Sequence, residues 1–123
     1  MSAKDTILVV DDDEINRKVA GLFLLRMGWK TDQAASAYEA LEKLKTTEYA
    51  CVLLDISMPG MSGIELCQQL RKDTRWQDLQ LIAYTAHAMN DEQQAILQAG
   101  FDAIVIKPLT RDSLEAALAS SRH

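Results

Sequence analysis

Three aspartates, Asp11, Asp12 and Asp13, directly follow the apolar run Ile7-Leu8-Val9-Val10, and Asp55 closes a second apolar run, Cys51-Val52-Leu53-Leu54. Thr85 ends a third apolar stretch, and Lys107, followed at once by Pro108, ends a fourth. Carboxylates held close together repel, and one is forced neutral unless a cation joins them. Mg²⁺ suits such a cluster, being hard, oxygen-seeking and content to keep waters. A lysine amine and a hydroxyl beside it complete a set that can stabilise a transferring phosphoryl group, whose charge spreads over its equatorial oxygens. One carboxylate would then act as nucleophile and carry the phosphoryl as an aspartyl phosphate. A single Asp at a strand end is usually a cap or turn residue, and Asp13 is read that way. The case rests on all the groups arriving at the ends of the right strands.

The elements that must bring them there alternate along the chain. Residues 7–10, 29–34, 51–54, 81–85 and 103–107 read as strands, the second polar enough for a sheet edge. Between them lie helical patterns. Asp13 caps the first, whose apolar positions Ile15, Val19, Leu22 and Leu25 recur at helical spacing before Gly28 stops it. Ser36 with Glu39 predicts a capping box for the second, which carries Ala40, Leu41 and Leu44. Residues 56–63, with Pro59, Gly60 and Gly63, form a loop, and a third helix runs to about Lys72. Asn90 with Gln93 predicts another capping box, with Gly100 ending that helix, and Thr110 caps a last helix carrying Leu114 and Leu118.

Five strands alternating with five helices predict an α/β fold, a parallel sheet with helices on both faces and right-handed crossovers. In such open sheets the ligand sits beyond the carboxyl ends of the strands, where the strand order reverses. For the order 2-1-3-4-5 that point lies between strands one and three. Asp11, Asp12, Asp55, Thr85 and Lys107 then share one rim.

Composition narrows the function classes. The 123 residues fit one domain, 1–123, and 48% hydrophobic content supplies a core. A net charge of −5 argues against direct nucleic-acid binding, since an acidic domain gains nothing from counterion release. No apolar run reaches ~18 residues, and the start carries no signal-peptide pattern, so a cytoplasmic protein off the membrane is expected. Cys51 and Cys67 sit in apolar patterns and read as buried reduced thiols. With only His87 and His123 as histidines, no zinc-type cluster exists.

The motifs Ile7-Leu8-Val9-Val10-Asp11-Asp12-Asp13, Leu54-Asp55-Ile56-Ser57-Met58-Pro59-Gly60-Met61-Ser62-Gly63, Tyr84-Thr85-Ala86 and Lys107-Pro108 together resemble response-regulator receiver domains. That family includes the chemotaxis regulator and the receivers of hybrid histidine kinases, and the resemblance covers essentially the whole chain. It implies that Asp55 takes a phosphoryl group from a phosphohistidine on a histidine kinase or histidine phosphotransfer protein. It implies that Asp12, Asp55 and the Ser57 carbonyl ligate Mg²⁺ directly, Asp11 through a bound water, while Thr85 and Lys107 hold the phosphoryl oxygens. It also implies a cis peptide before Pro108, a switch passed to a downstream protein through the surface from strand four to helix five, and flanking of the water approach by Ser57 and His87. Such a domain is no enzyme in the ordinary sense, catalysing only its own phosphorylation and dephosphorylation.

Two positions depart from the family pattern. Ile104 stands three residues before the lysine, where many receivers carry an aromatic, so the usual aromatic switch cannot operate; Tyr84 is read as a packing residue. Ala37 replaces a common glycine before the second helix. Asn16-Arg17 and Ala86-His87-Ala88-Met89 resemble hybrid-kinase and stand-alone phosphorelay receivers, so the chain is expected to be a free regulator or a piece of a larger kinase. A haloacid-dehalogenase-like phosphohydrolase is the enzyme alternative, with Asp11 and Asp13 as its paired acids, although the chain is short for that fold plus a cap. A flavin carrier shares the topology, but Asp11, Asp12 and Asp13 would repel its phosphate.

Overall fold

Continuous apolar runs make strands that are buried on both faces, and such runs at the centre, with the polar β2 at one edge, form the sheet: β1 (Ser2–Val10), β2 (Lys30–Ala34), β3 (Glu48–Asp55), β4 (Gln80–Thr85) and β5 (Ala103–Ile106). They alternate with α1 (Glu14–Arg26), α2 (Ala37–Thr46), α3 (Gly63–Arg71), α4 (Asn90–Ala99) and α5 (Arg111–Ala119). A computed structural model describes residues 2–86 and 89–119, with side chains from residue 5 onward. Every pairing is parallel and the order is β2-β1-β3-β4-β5, as expected.

The two-residue period of the strands splits the core. Leu8, Val10, Val52, Leu54, Leu81 and Ala83 pack against α2, α3 and α4. Ile7, Val9, Leu53, Ile82, Tyr84 and Val105 pack against α1 and α5. Both cysteines are buried without a disulfide, and burial pushes the Cys51 thiol up. Among the described residues no helix is long and apolar enough to cross a membrane.

Local signals placed most helix ends. Asp13 caps α1 by accepting from the Ile15 and Asn16 amides at 2.8 and 3.2 Å, and Thr110 Oγ1 accepts from Ser113 at the start of α5. At α2, Ser36 accepts from the Glu39 amide, but Glu39 reaches back to the amide of Ala35, one residue earlier than a capping box requires. A complete box occurs instead at Ser62 and Glu65, opening α3. The Asn90–Gln93 box is absent. Asn90 is already helical, Met89 occupies the cap with no side-chain bond, and the Gln93 amide bonds the Met89 carbonyl at 2.9 Å. A cap needs non-helical backbone at its own position, and here the helix begins one residue too early for Asn90 to serve.

The apolar stripe on α1 faces outward. Ile15, Val19, Leu22 and Leu25 are 71%, 41%, 55% and 56% exposed, whereas Ala20, Gly21 and Leu24 are buried. At about 100° per residue, Leu24 lies opposite Ile15, so the helix carries two apolar arcs, and the sheet takes the one built of small residues and Leu24.

Candidate functional site

The strand register builds the rim. Val10 pairs with Leu54, so the next residues, Asp11 and Asp55, emerge side by side. Asp55 pairs with Tyr84 across β3 and β4, and Thr85 pairs with Ile106, so Thr85 and Lys107 arrive beside them. The Lys107 amide continues the ladder, donating to the Thr85 carbonyl at 2.8 Å. Lys107 itself lies one residue beyond β5, whose last member is Ile106.

All four polar atoms of Asp11 are engaged. Its amide donates to the Ala34 carbonyl at 3.1 Å, and its carbonyl accepts from Arg17 Nη1 at 2.7 Å. Oδ1 accepts from the Asp13 amide at 2.9 Å, while Oδ2 lies 3.5 Å from Lys107 Nζ. Arg17 also donates to Gln33 Oε1, which ties α1 to β2 behind the acids. Nothing local in the sequence gives Arg17 this task; its anchoring of the Asp11 loop arises only when α1 folds back along β2.

Asp55 is buried, with Lys107 Nζ 3.8 Å from Oδ1 and the Ser57 amide donating to Oδ1 at 3.1 Å. Burial, reinforced by the neighbouring Asp11 charge, raises its pKa to about 6. Asp12 is exposed, yet Asp11, Asp12 and Asp55 each offer an oxygen, all within 4.8 Å of one another. Among the described residues this is the one acidic cluster of that kind. Three such oxygens fit a hard divalent cation, and burial together with the neighbouring Asp11 charge outweighs the opposing pull of Lys107 on Asp55.

The loop after Asp55 is held by a glycine. A Cβ on Gly63 would run into the backbone of Asp55 and Ile56, and the Gly63 amide donates to the Ile56 carbonyl at 3.0 Å. Only glycine lets the start of α3 lie this close to the backbone of Asp55. In the sequence Gly63 reads as loop; the close approach arises only when α3 packs back on the end of β3.

Thr85 is buried and Lys107 partly so, and the Lys107–Pro108 peptide is cis. Ser57 is exposed beside Asp55. Ile104, at the position of the missing aromatic, packs on the α2–α4 side of the sheet. His87, expected to flank the site, lies outside the described residues. Asp13, which a phosphohydrolase would use as its second acid, spends its carboxylate on the cap of α1.

Residues 7–119 match a protein family described as the response regulator receiver domain. The aerobic respiration control sensor protein ArcB of Escherichia coli is 39% identical over 113 residues, covering 91% of this chain and 14% of that protein. The signal transduction histidine-protein kinase BarA of Escherichia coli is 33% identical over 113 residues, covering 92% of this chain and 12% of that protein. The chain therefore spans about one seventh, or less, of these relatives. In fold it resembles chemotaxis protein CheY4 of Vibrio cholerae, with a TM-score of 0.86 at 24% identity, covering 94% of this chain and 97% of the other. A receiver domain of a sensor histidine kinase from Pseudomonas aeruginosa superposes with a TM-score of 0.84 at 27% identity, covering 94% and 95%, and is described with a magnesium ion coordinated in its active-site cleft.

Proposed function

Since the chain belongs to the response regulator receiver domain family, we propose that residues 1–123 act as one phosphoacceptor domain of a two-component phosphorelay, with Asp55 as the acceptor. The observation that carries this reading is the rim itself: three carboxylate oxygens within 4.8 Å of one another, with the Lys107 ammonium 3.5 and 3.8 Å from two of the acids.

The chemistry follows from those groups. An ionised Asp55 oxygen attacks the phosphorus of a phosphohistidine, a new O–P bond forms, and the N–P bond breaks with its electron pair left on the imidazole. Lys107 and Thr85 hold the phosphoryl oxygens through charge-assisted hydrogen bonds. Asp11, Asp12, Asp55 and the Ser57 carbonyl are the groups to hold Mg²⁺, which when bound neutralises the carboxylates and the incoming phosphoryl charge. The domain is thus no enzyme acting on a separate substrate; it catalyses its own phosphorylation and, with water, its own dephosphorylation.

The donor is a histidine kinase or histidine phosphotransfer protein in the cytoplasm. It must cover the surface bordering Asp55, and α1 begins immediately after the acids, presenting Ile15, Val19 and Leu22 within an arc of about 60°. An apolar helical stripe of this kind fits an apolar helical partner carrying the phosphohistidine beside the site. The output passes to a downstream protein through the surface from β4 to α5, because Thr85 and Lys107, on β4 and just after β5, sense the phosphoryl directly.

The test is labelling by a phosphohistidine donor and by acetyl phosphate. The parent takes a base-labile label with Mg²⁺, and Asp55→Asn takes none. A base-labile label that persists on Asp55→Asn overturns the assignment.

A further inference from the structure

Beneath Lys107 lies an aromatic ring that the phosphoacceptor reading does not use. Lys107 Nζ stands 4.5 Å from the centroid of Tyr84. We propose that Tyr84 is a positioning residue for Lys107, its ring face seating the ammonium beside Asp11 and Asp55 in readiness for a phosphoryl oxygen. The proposal deepens the phosphoacceptor reading and rests on it for the task of Lys107.

The ion pairs alone hold Lys107 weakly. Its distances to Asp11 and Asp55, 3.5 and 3.8 Å, lie at or beyond the limit of a good hydrogen bond. Its side chain is 20% exposed, and a strongly hydrated head on a flexible four-carbon stem would otherwise swing toward water. A ring face within about 6 Å of a cation attracts it through the quadrupole, more so where water is excluded.

Tyr84 is a fixed floor for that contact. It is 5% exposed and packed among the core residues facing α1 and α5. On β4 it pairs with Asp55 on one side and Val105 on the other, and its carbonyl accepts from the Ile56 amide at 3.3 Å. Its phenol is held up to about 12 by burial and by the charges of Asp11 and Asp55, so the ring stays neutral beneath the lysine. Nor does Tyr84 replace the aromatic missing at Ile104. In the register Ile104 pairs with Ala83, whose side chain faces α2–α4, while Tyr84 faces the opposite side. An aliphatic residue at 84 would fill the core without offering a quadrupole.

Nuclear magnetic resonance on the full chain reads the seat directly. Ring current should move the ε-methylene protons of Lys107, assigned by their loss in Lys107→Arg, upfield of those of the other lysines. The displacement should persist in Tyr84→Phe and vanish in Tyr84→Leu or Tyr84→Met. In parallel, Tyr84→Leu should lower the maximal rate of labelling by acetyl phosphate roughly 2- to 5-fold, with unchanged half-saturating acetyl phosphate and Mg²⁺, and Tyr84→Phe should match the parent. Undisplaced Lys107 methylenes in the parent overturn the proposal, whatever the folding of the variants. So does a Tyr84→Phe that slows as much as Tyr84→Leu, because the hydroxyl and not the ring would then be at work. If the methylenes are displaced but Asp55 takes no label, the seat stands and the phosphoacceptor reading fails.

Discussion

Arg71, at the end of α3, pairs with Asp102, in the turn before β5, at 3.1 Å, with side chains only 11% and 4% exposed. The same guanidinium donates to the carbonyls of Gly100, Trp76 and Leu79, and Asp102 also accepts from the Leu81 amide at 2.8 Å. One side chain thus clamps the α3–β4 and α4–β5 connections at the end of the sheet away from the acids. Gly100, at φ 122°, is part of the clamp, since a Cβ there would meet Arg71 Cγ at 2.6 Å.

Removing Arg71 leaves a buried carboxylate without its cation. Arg71→Met should cost about 3 kcal/mol in urea unfolding, while acetyl phosphate still labels Asp55 at the parental rate at low temperature. A loss under 1 kcal/mol would show that the other bonds of Asp102, that from the Leu81 amide among them, satisfy it without Arg71.

Asp55 makes stability depend on pH. Its folded pKa of about 6 lies above the ordinary 3.8, so the folded state binds the proton more tightly than the unfolded chain does. The contribution is fully present below pH ~4 and is lost as pH rises through ~6. Without Mg²⁺, Asp55→Asn should therefore gain on the parent between pH 4 and 7, by on the order of 1–3 kcal/mol. Thermal unfolding of the pair across that range is the measurement, and a gap that stays constant with pH contradicts the raised pKa of Asp55.

Mg²⁺ should raise the melting temperature of the parent, because it binds the folded site and not the chain; at a hundredfold excess over Kd the gain is about 2.7 kcal/mol. Asp12 is exposed, so Asp12→Ala should leave the core intact and remove most of that gain. Relief of repulsion should make the metal-free Asp12→Ala at least as stable as the parent. Titration calorimetry with Mg²⁺ on both proteins gives the affinities, and equal values would remove Asp12 from the ligand set.

A change in the outward stripe of α1 tests docking apart from chemistry. Leu22 is 55% exposed, so Leu22→Glu should not disturb folding. It should slow transfer from a phosphohistidine protein roughly 10-fold or more and leave labelling by acetyl phosphate unchanged. Parallel time courses with the two donors decide it; equal slowing with both would locate the fault in the site.

Much of the fold and rim was legible in the sequence for local reasons. Strand runs ending in Asp55 or in Asp11 carry their chemistry on adjacent residues, and Asp13 or Thr110 caps with side chains that reach only two or three residues. Strand alternation with helices then leaves few parallel topologies, so the meeting of Asp11, Asp55, Thr85 and Lys107 follows from order alone. Asn90 shows the limit of the local rule: a cap depends on which residue leaves the helix, and a shift by one position handed the place to Met89.

Tertiary structure decided what depends on orientation. Helical spacing on α1 made Ile15, Val19, Leu22 and Leu25 an apolar stripe, but a helix with two apolar arcs has no internal preference, and the sheet accepted the arc in which small Ala20 and Gly21 allow close approach and Leu24 fills the core. Strand periodicity likewise says that neighbours point to opposite faces without saying which face lies under the lysine. That Tyr84 lies beneath Lys107, that Arg17 holds the Asp11 carbonyl and that Gly63 touches the Asp55 backbone all depend on residues far apart in sequence meeting through register and packing. Contacts of that kind are set by the sum of many long-range burials, which no short stretch of chain encodes by itself.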